Sequence, residues 1–272
     1  MRINALSITP NVVGWLADTR QARILHVFDR ACNLVNDRRE LISIVTQQIG
    51  NGPFNLVIEG DVCLADHLSL ETAISNSPSQ LTLGDITIHT MGAELWNPCP
   101  DWDLLHSQKE LILFRLAQLP NTNYLFPHSN ISNSLLTSLI IADLPSSLVA
   151  ARNLAGLGVG LTPSGDDFLV GAMYGTWIIH PSETAGNLGR EISDAAAPLT
   201  TSLSAVWLRS AGRGEAGILW HEFFKALITG RGFDLQIAGI RSVGETSGAD
   251  ALAGFFGVMS AFKERIIDKC PS

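Results

Sequence analysis

The sequence predicts an α+β protein in which a small N-terminal β-barrel-like or sandwich-like domain (residues 1–100) is followed by a mainly α-helical domain (residues 101–272). Three observations support this division: short β-branched segments between turns, prolines on either side of Cys99, and a helical spacing of apolar residues beyond them. Hydrophobic residues make up 46% of the chain and charged residues 16%, so the chain can bury sizeable cores.

The strands of the first domain are predicted from apolar and β-branched segments at residues 31–36, 40–46, 54–58, 81–83 and 86–88. Turn signals separate them: a polar turn at residues 37–39, a glycine-rich turn at residues 50–53, and Gly84-Asp85 in a hairpin or bulge. Short strands at this spacing are typical of a small barrel or sandwich.

The prolines at positions 98 and 100 disfavour continuation of either kind of element, so we place the domain boundary near residue 100. Beyond it, residues 104–116 predict one amphipathic helix, and residues 134–143 and 145–154 predict two more. The pattern remains mostly helical to the end of the chain.

One frame, Ser-Gly-x-Asp-x-Leu-x-Gly, occurs twice, at residues 164–171 (the first motif) and 247–254 (the second motif). Each copy follows a turn-prone run and precedes apolar and small residues, so each is predicted to begin a helix. The serine of each copy is expected to accept a backbone hydrogen bond three residues on, and its aspartate to complete a capping box.

The two predicted helices carry small residues about one turn apart, including Gly171, Gly175, Ala253 and Gly257. Glycine inside a helix costs about 1 kcal/mol relative to alanine, and close approach of two backbones would offset that cost. We therefore expect the two helices to pack together with their first turns at the same end, which brings both acidic starts to one pocket.

Three carboxylates are the predicted catalytic groups: Asp166, Asp167 and Asp250. Adjacent aspartates at a helix start can bind a divalent cation such as Mg²⁺, and we expect Asp166 and Asp167 to be its ligands if one binds. The alternative for Asp167 and Asp250 is a capping role alone. Asp166 has alanine at the equivalent place in the second copy, so it is either a surface charge or a specialised group.

The glycine-rich run at residues 156–163 could present backbone N–H groups to an anion before a helix start. Its spacing fits neither a Rossmann fingerprint nor a Walker loop, and a helix cap followed by an ordinary loop is the alternative. The predicted substrate-binding residues of this run and of the two motifs are Gly160, Thr162, Ser164, Gly165, Thr246, Ser247 and Gly248.

A hydroxyl-rich run at residues 200–204 precedes Arg209, Arg213 and Glu215. Arginines after such a helix start can bind a carboxylate or phosphate, and Arg209 completes the predicted substrate-binding set. A capping or solvated segment is the alternative.

Composition excludes several classes of protein. The net charge of −8 argues against nucleic-acid binding, and the longest apolar blocks are too short to span a membrane. Four scattered cysteines, with no CxxC, and a start that lacks a signal segment lead us to expect a cytoplasmic protein without structural disulfides.

Three segments together resemble the AllH family: Gly158-x-Gly160-Leu161-Thr162-Pro163-Ser164-x-Asp166-Asp167, a threonine-rich run before Leu208-Arg209, and Gly244-x-Thr246-Ser247-Gly248-Ala249-Asp250. The resemblance covers most of the second domain. It carries the family motif onto Thr162, Ser164, Asp166, Asp167, Thr246, Ser247 and Asp250. Gly165 stands at a position that varies in the family.

The resemblance implies a subunit of oxamate carbamoyltransferase, which in anaerobic allantoin (purine) catabolism splits oxalurate with phosphate into oxamate and carbamoyl phosphate. It also implies AllF-type (FdrA-like) and AllG-type partner subunits. The expected ligand is a small anionic substrate at the paired helix starts. Two alternatives are a non-catalytic interaction or scaffold subunit and a stand-alone carboxylase-like enzyme.

Overall fold

The computed structural model of the protein describes residues 1–119 and 129–269; Cys270, one of the four cysteines, lies outside them. The chain forms two compact units, Met1–Pro98 and Cys99–Ser272. The predicted α+β class is confirmed, because a nearly closed, barrel-like β-sheet precedes a helical region.

The first unit contains the strands β1 (Arg2–Ile8), β2 (Ala22–Val27), β3 (Ala31–Asn36), β4 (Leu41–Thr46), β5 (Asn55–Ile58), β6 (Ile74–Ser77), β7 (Gln80–Leu83), β8 (Ile86–His89) and β9 (Glu94–Leu95). One helix, α1 (Pro10–Asp18), follows the first strand. The strand order is β2-β3-β4-β5-β1-β8-β7-β6, with β9 on β1, and the end strands β2 and β6 contact each other.

Strand β1 lies in the middle of this sheet and was not predicted. It pairs antiparallel with β5 and parallel with β8, and its side chains alternate between exposed and buried as far as Leu6. Ile3 and Ala5 point into the core, where they join apolar residues from the predicted strands. The predicted hairpin at Gly84-Asp85 is confirmed as the β7–β8 connection.

Every element of the second unit within the described residues is helical: α2 (Trp102–Ser107), α3 (Lys109–Leu116), α4 (Ser129–Ile140), α5 (Leu144–Leu154), α6 (Ser164–Ile179), α7 (Ser182–Ala196), α8 (Ser202–Gly212), α9 (Ile218–Thr229), α10 (Phe233–Arg241) and α11 (Ser247–Lys269). The single helix predicted at residues 104–116 is instead two helices. Gln108 leaves the helical conformation between them, with φ −104° and ψ 13°.

Helix α6 is the centre of the second unit and is buried along almost its whole length. Tyr174 and Trp177 lie in an aromatic cluster with Trp102, Trp220 and Phe224. The indole of Trp177 donates a hydrogen bond to the Ala211 carbonyl (3.0 Å), which ties α6 to α8. These contacts fix the helix on which the first motif lies.

Helices α6 and α11 pack backbone to backbone, as the small residues predicted. A Cβ on Gly171 would lie 1.7 Å from the Ala251 carbonyl oxygen, and one on Gly254 would lie 2.0 Å from that of Phe168. A Cβ on Gly175 would meet Val258, one turn or more further along α11. From the Gly171–Ala251 contact to the Gly175–Val258 contact both helices advance toward their C-termini, so they are parallel and begin at the same end.

Among the described residues, no helix has both the length and the apolar character that crossing a membrane requires.

Candidate functional site

The two motifs meet at the first turns of α6 and α11. The hydroxyl oxygens of Thr162 and Ser247 are 2.8 Å apart and share a hydrogen bond. This bond joins the loop before α6 to the first residue of α11. The sequence prediction that both helix starts lie at one place is therefore confirmed.

The capping role predicted for Ser164 is wrong. Helix α6 begins at Ser164 itself, Pro163 is the N-cap residue, and no side chain caps the helix. Pro163 occupies the cap because its fixed backbone leads directly into the helix, and its carbonyl accepts the N–H groups of Asp166 and Asp167. The motif aspartates are thus left available for other contacts.

Asp167 lies in the first turn of α6 and is only 9% exposed. The pKa of its carboxyl group is raised from 3.8 to about 7, mainly by burial and in smaller part by the negative charges of Asp250 and Asp166. Hydrogen bonds from the Ser247 and Thr162 hydroxyls act in the opposite direction but are weaker than burial. A carboxyl group with a raised pKa in such surroundings is a common feature of functional sites.

Asp250 is the equivalent residue of α11, the fourth of its helix, as Asp167 is of α6. We call Asp167 and Asp250 the aspartate pair. Within the described part of the chain, the Oδ2 atom of each is buried and has no hydrogen-bond partner. Buried polar atoms are normally satisfied, so two orphaned carboxyl oxygens from facing motifs need an explanation.

Asp166 is neither a surface charge nor free to turn toward the aspartate pair. It is 1% exposed, and its Oδ1 accepts the Gly156 backbone N–H at 2.9 Å. Its Oδ2 accepts the Thr200 hydroxyl. Burial raises the pKa of this carboxyl, while the Thr200, Gly156 and Ser204 groups lower it. Asp166 therefore links three segments, and Thr200 and Gly156 are partners that the sequence prediction did not assign.

The loop between α5 and α6, residues 156–163 (the glycine loop), contains three glycines at positive φ: 71° at Gly156, 122° at Gly158 and 93° at Gly160. In the described residues, the backbone N–H groups of 158–162 make no hydrogen bond. Successive free N–H groups in a loop of this kind can bind an anion.

The other predicted substrate-binding residues have different surroundings. The Gly165 N–H already donates to the Leu157 carbonyl at 2.8 Å, and the Gly248 N–H donates to that of Val243 at 3.0 Å. A Cβ on Gly248 would lie 1.8 Å from the Ile240 carbonyl oxygen, so this glycine allows α10 and α11 to approach. Thr246 is exposed, and its carbonyl accepts the Asp250 N–H.

The hydroxyl-rich run reaches the site, whereas Arg209 lies away from it. Thr201 caps α8 and donates its hydroxyl to the Leu161 carbonyl at 2.6 Å, which anchors the glycine loop. Arg209 is exposed in the last turn of α8, about 12 Å along the axis from Thr201 at 1.5 Å per residue. Arg213 forms an ion pair with Glu215 at 2.7 Å.

Among residues 1–119 and 129–269, no group of three or more His, Cys, Asp or Glu side chains is arranged to hold a metal ion. Both oxygens of Asp166 already accept a protein hydrogen bond, so a metal at Asp166 and Asp167 would share these oxygens with the Gly156 N–H and the Thr200 hydroxyl.

Taken together, the site offers two kinds of group side by side. Free N–H donors of the glycine loop suit negatively charged oxygen atoms, and the free oxygens of the aspartate pair suit N–H donors or a cation. Thr162 belongs to both, since it is part of the glycine loop and its hydroxyl contacts Ser247 and Asp167.

Comparison with known protein families matches both units. The family described as oxamate carbamoyltransferase subunit AllH matches residues 154–259, a range that contains both motifs and the hydroxyl-rich run. The AllH family N-terminal domain matches residues 4–95. No solved structure matches the chain. The chain therefore belongs to the AllH family of oxamate carbamoyltransferase subunits.

Proposed function

We propose that this subunit binds the small anionic substrate of a carbamoyltransferase complex at the paired starts of α6 and α11. The reaction is the cleavage of oxalurate by phosphate into oxamate and carbamoyl phosphate. The observation that carries the proposal is the hydrogen bond between Thr162 and Ser247, which unites two motifs of one family domain at a single place.

The glycine loop would hold the negatively charged part of the substrate. The free N–H groups of residues 158–162 are its donors. Because the fold already holds such groups in place, little reorganisation is needed when an oxyanion binds. The Gly165 N–H already donates to the Leu157 carbonyl, and Pro163 has no N–H, so neither position is among the donors. Ser164, partly exposed in the first turn of α6, supplies a further hydroxyl.

The aspartate pair would act on the carbamoyl part, either by binding its N–H groups or by holding a divalent cation such as Mg²⁺. Two acids beside an anion repel it, and either a cation or an amide donor between them removes that repulsion. A carboxyl with a pKa of about 7, such as Asp167, is also suited to exchange a proton at neutral pH.

The partners proposed for the complex are AllF-type (FdrA-like) and AllG-type subunits, in the cytoplasm. Family membership as a subunit implies that other subunits exist, and supports this assignment without identifying them. The net charge of −8 gives no reason to expect nucleic acid among the partners.

Turnover of the assembled complex tests the proposal. Asp167→Asn and Asp250→Asn should each lower phosphate-dependent cleavage of oxalurate by at least about a hundredfold, a usual cost of losing an acid–base group. Asp234→Asn is the matched control, because Asp234 is an exposed acid in the first turn of α10. Activity of both site variants within a few-fold of the parent would remove the aspartate pair from the mechanism.

A scaffold role is the second candidate, and exposed apolar side chains beside the site favour it. Val159 and Leu161 in the glycine loop are 92% and 39% exposed, and Leu199, beside the loop at Gly156, is 52% exposed. In that case Asp167→Asn should lower the yield of the complex without a selective loss of turnover. A stand-alone carboxylase-like enzyme would instead be active without partner subunits.

A further inference from the structure

The aspartate pair contains two acceptor atoms that nothing in the described protein satisfies. Asp167 is more than nine-tenths buried, and the Oδ2 atoms of Asp167 and Asp250 are both inaccessible and unpartnered. A buried acceptor without a donor carries its full desolvation cost, and a carboxyl oxygen carries more than most. A ligand that donates to both atoms would recover that cost.

We infer that the aspartate pair is the receptor for the terminal NH₂ of a carbamoyl or primary amide group, with one N–H directed to the Oδ2 atom of each aspartate. This inference rests on the proposed function and deepens it, because it chooses an amide donor over a metal ion. An amide NH₂ has two donor hydrogens and no acceptor, which matches two free acceptors from two helices.

The number of oxygen ligands around the pair, rather than its charge, favours a neutral donor over a cation. The charged groups that act on Asp167 among the described residues are Asp250 on α11 and Asp166 on α6, and the other groups facing it are the Ser247 and Thr162 hydroxyls. Asp166 is held by Gly156 and Thr200, so each of its oxygens already accepts a hydrogen bond. A magnesium ion needs near-octahedral oxygen coordination, and no cluster of three acidic or metal-binding side chains stands in the described chain.

The neighbouring glycine loop explains why the ligand would be an amide that also carries a negative charge. Its free N–H groups lie on the same segment as Thr162, whose hydroxyl contacts the pair. Donors for a carboxylate thus adjoin acceptors for an NH₂. A short molecule with a carboxylate at one end and an amide at the other satisfies both halves.

Oxamate and oxalate are matched probes, because they differ only in the exchange of an amide for a carboxylate. Binding of each to the full-length chain and to the assembled complex is measured by calorimetry, with and without Mg²⁺. We expect oxamate to bind at least about tenfold more tightly than oxalate, with no requirement for Mg²⁺. Asp250→Asn should weaken oxamate binding by about tenfold without weakening oxalate binding, because it removes a charge that repels oxalate. A folding defect would weaken the binding of both.

Three results with the parent protein overturn the inference: no oxamate binding by the complex, equal or tighter binding of oxalate, or Mg²⁺-dependent binding that marks a cation site. An Asp250→Asn variant with unchanged oxamate affinity also overturns it. Should Asp250→Asn fold poorly, Asp167→Asn serves as the second variant, with Asp234→Asn as control for both. Turnover separates the two proposals: a complex that cleaves oxalurate but prefers oxalate keeps the function and loses the amide receptor.

Discussion

The raised pKa of Asp167 predicts how replacing this residue changes stability with pH. The folded protein holds the Asp167 proton more tightly than the unfolded chain, whose aspartate pKa is near 3.9. The free energy of unfolding therefore falls as the pH rises from about 4 to about 7, and it stays at the lower value at higher pH. Asp167→Asn keeps the shape of the side chain and cannot ionise. Its free energy of unfolding therefore does not fall in this way as the pH rises.

The magnitude follows from the two pKa values. A shift from 3.8 to about 7 is worth about 4 kcal/mol, at about 1.4 kcal/mol for each tenfold change in proton affinity. Between pH 4.5 and 7.5, the free energy of unfolding of Asp167→Asn should rise by about 3 kcal/mol relative to the parent.

Urea unfolding at several pH values, followed by tryptophan fluorescence, measures this difference. Four of the six tryptophans, Trp102, Trp177, Trp207 and Trp220, lie in the second unit and report on it. The free energy of unfolding of Asp234→Asn should change with pH in parallel with that of the parent, because the Asp234 carboxyl is exposed. Parallel curves for Asp167→Asn as well would refute the argument that burial controls this carboxyl.

Three further substitutions are tested by the same unfolding assay. Gly171→Ala should lower the free energy of unfolding by at least about 2 kcal/mol, because its Cβ would lie 1.7 Å from the Ala251 carbonyl oxygen. Gly14→Ala is the control: Gly14 has open space in α1, so this change should raise the free energy of unfolding by up to about 1 kcal/mol. Equal effects at the two glycines would contradict close packing of α6 and α11. Asp166→Ala should lower the free energy of unfolding by about 2–4 kcal/mol, since it leaves the Gly156 N–H unpaired and removes the hydrogen bond from the Thr200 hydroxyl. A change below about 0.5 kcal/mol would exclude the role of Asp166 in linking these segments.

Much of the fold could be predicted from local patterns. The strands at residues 31–36, 40–46 and 54–58 carry apolar and β-branched side chains between strong turn signals, and the structure has strands there. Strand β1 also had a signal, since polar and apolar residues alternate from Arg2 to Ala5. Thr9-Pro10 after it is a helix start, in which Thr9 accepts the Val12 N–H.

The site was predictable only in part, for a physical reason. Repeated small residues and equivalent serine–aspartate motifs indicated that α6 and α11 begin together. The burial of Asp166 was not predictable, because its partner Thr200 is 34 residues away and nothing local to either residue specifies the contact. The division of the predicted helix at Gln108 was likewise not predictable, since no glycine or proline marks it in the sequence.

The most direct test of one shared site is a double-mutant cycle on turnover of the assembled complex with Asp167→Asn, Asp250→Asn and both together. If the two motifs form one centre, either single change disables it and the double variant is little slower than the slower single variant. Losses that multiply would show two groups acting independently, and that result would contradict a common centre at the starts of α6 and α11.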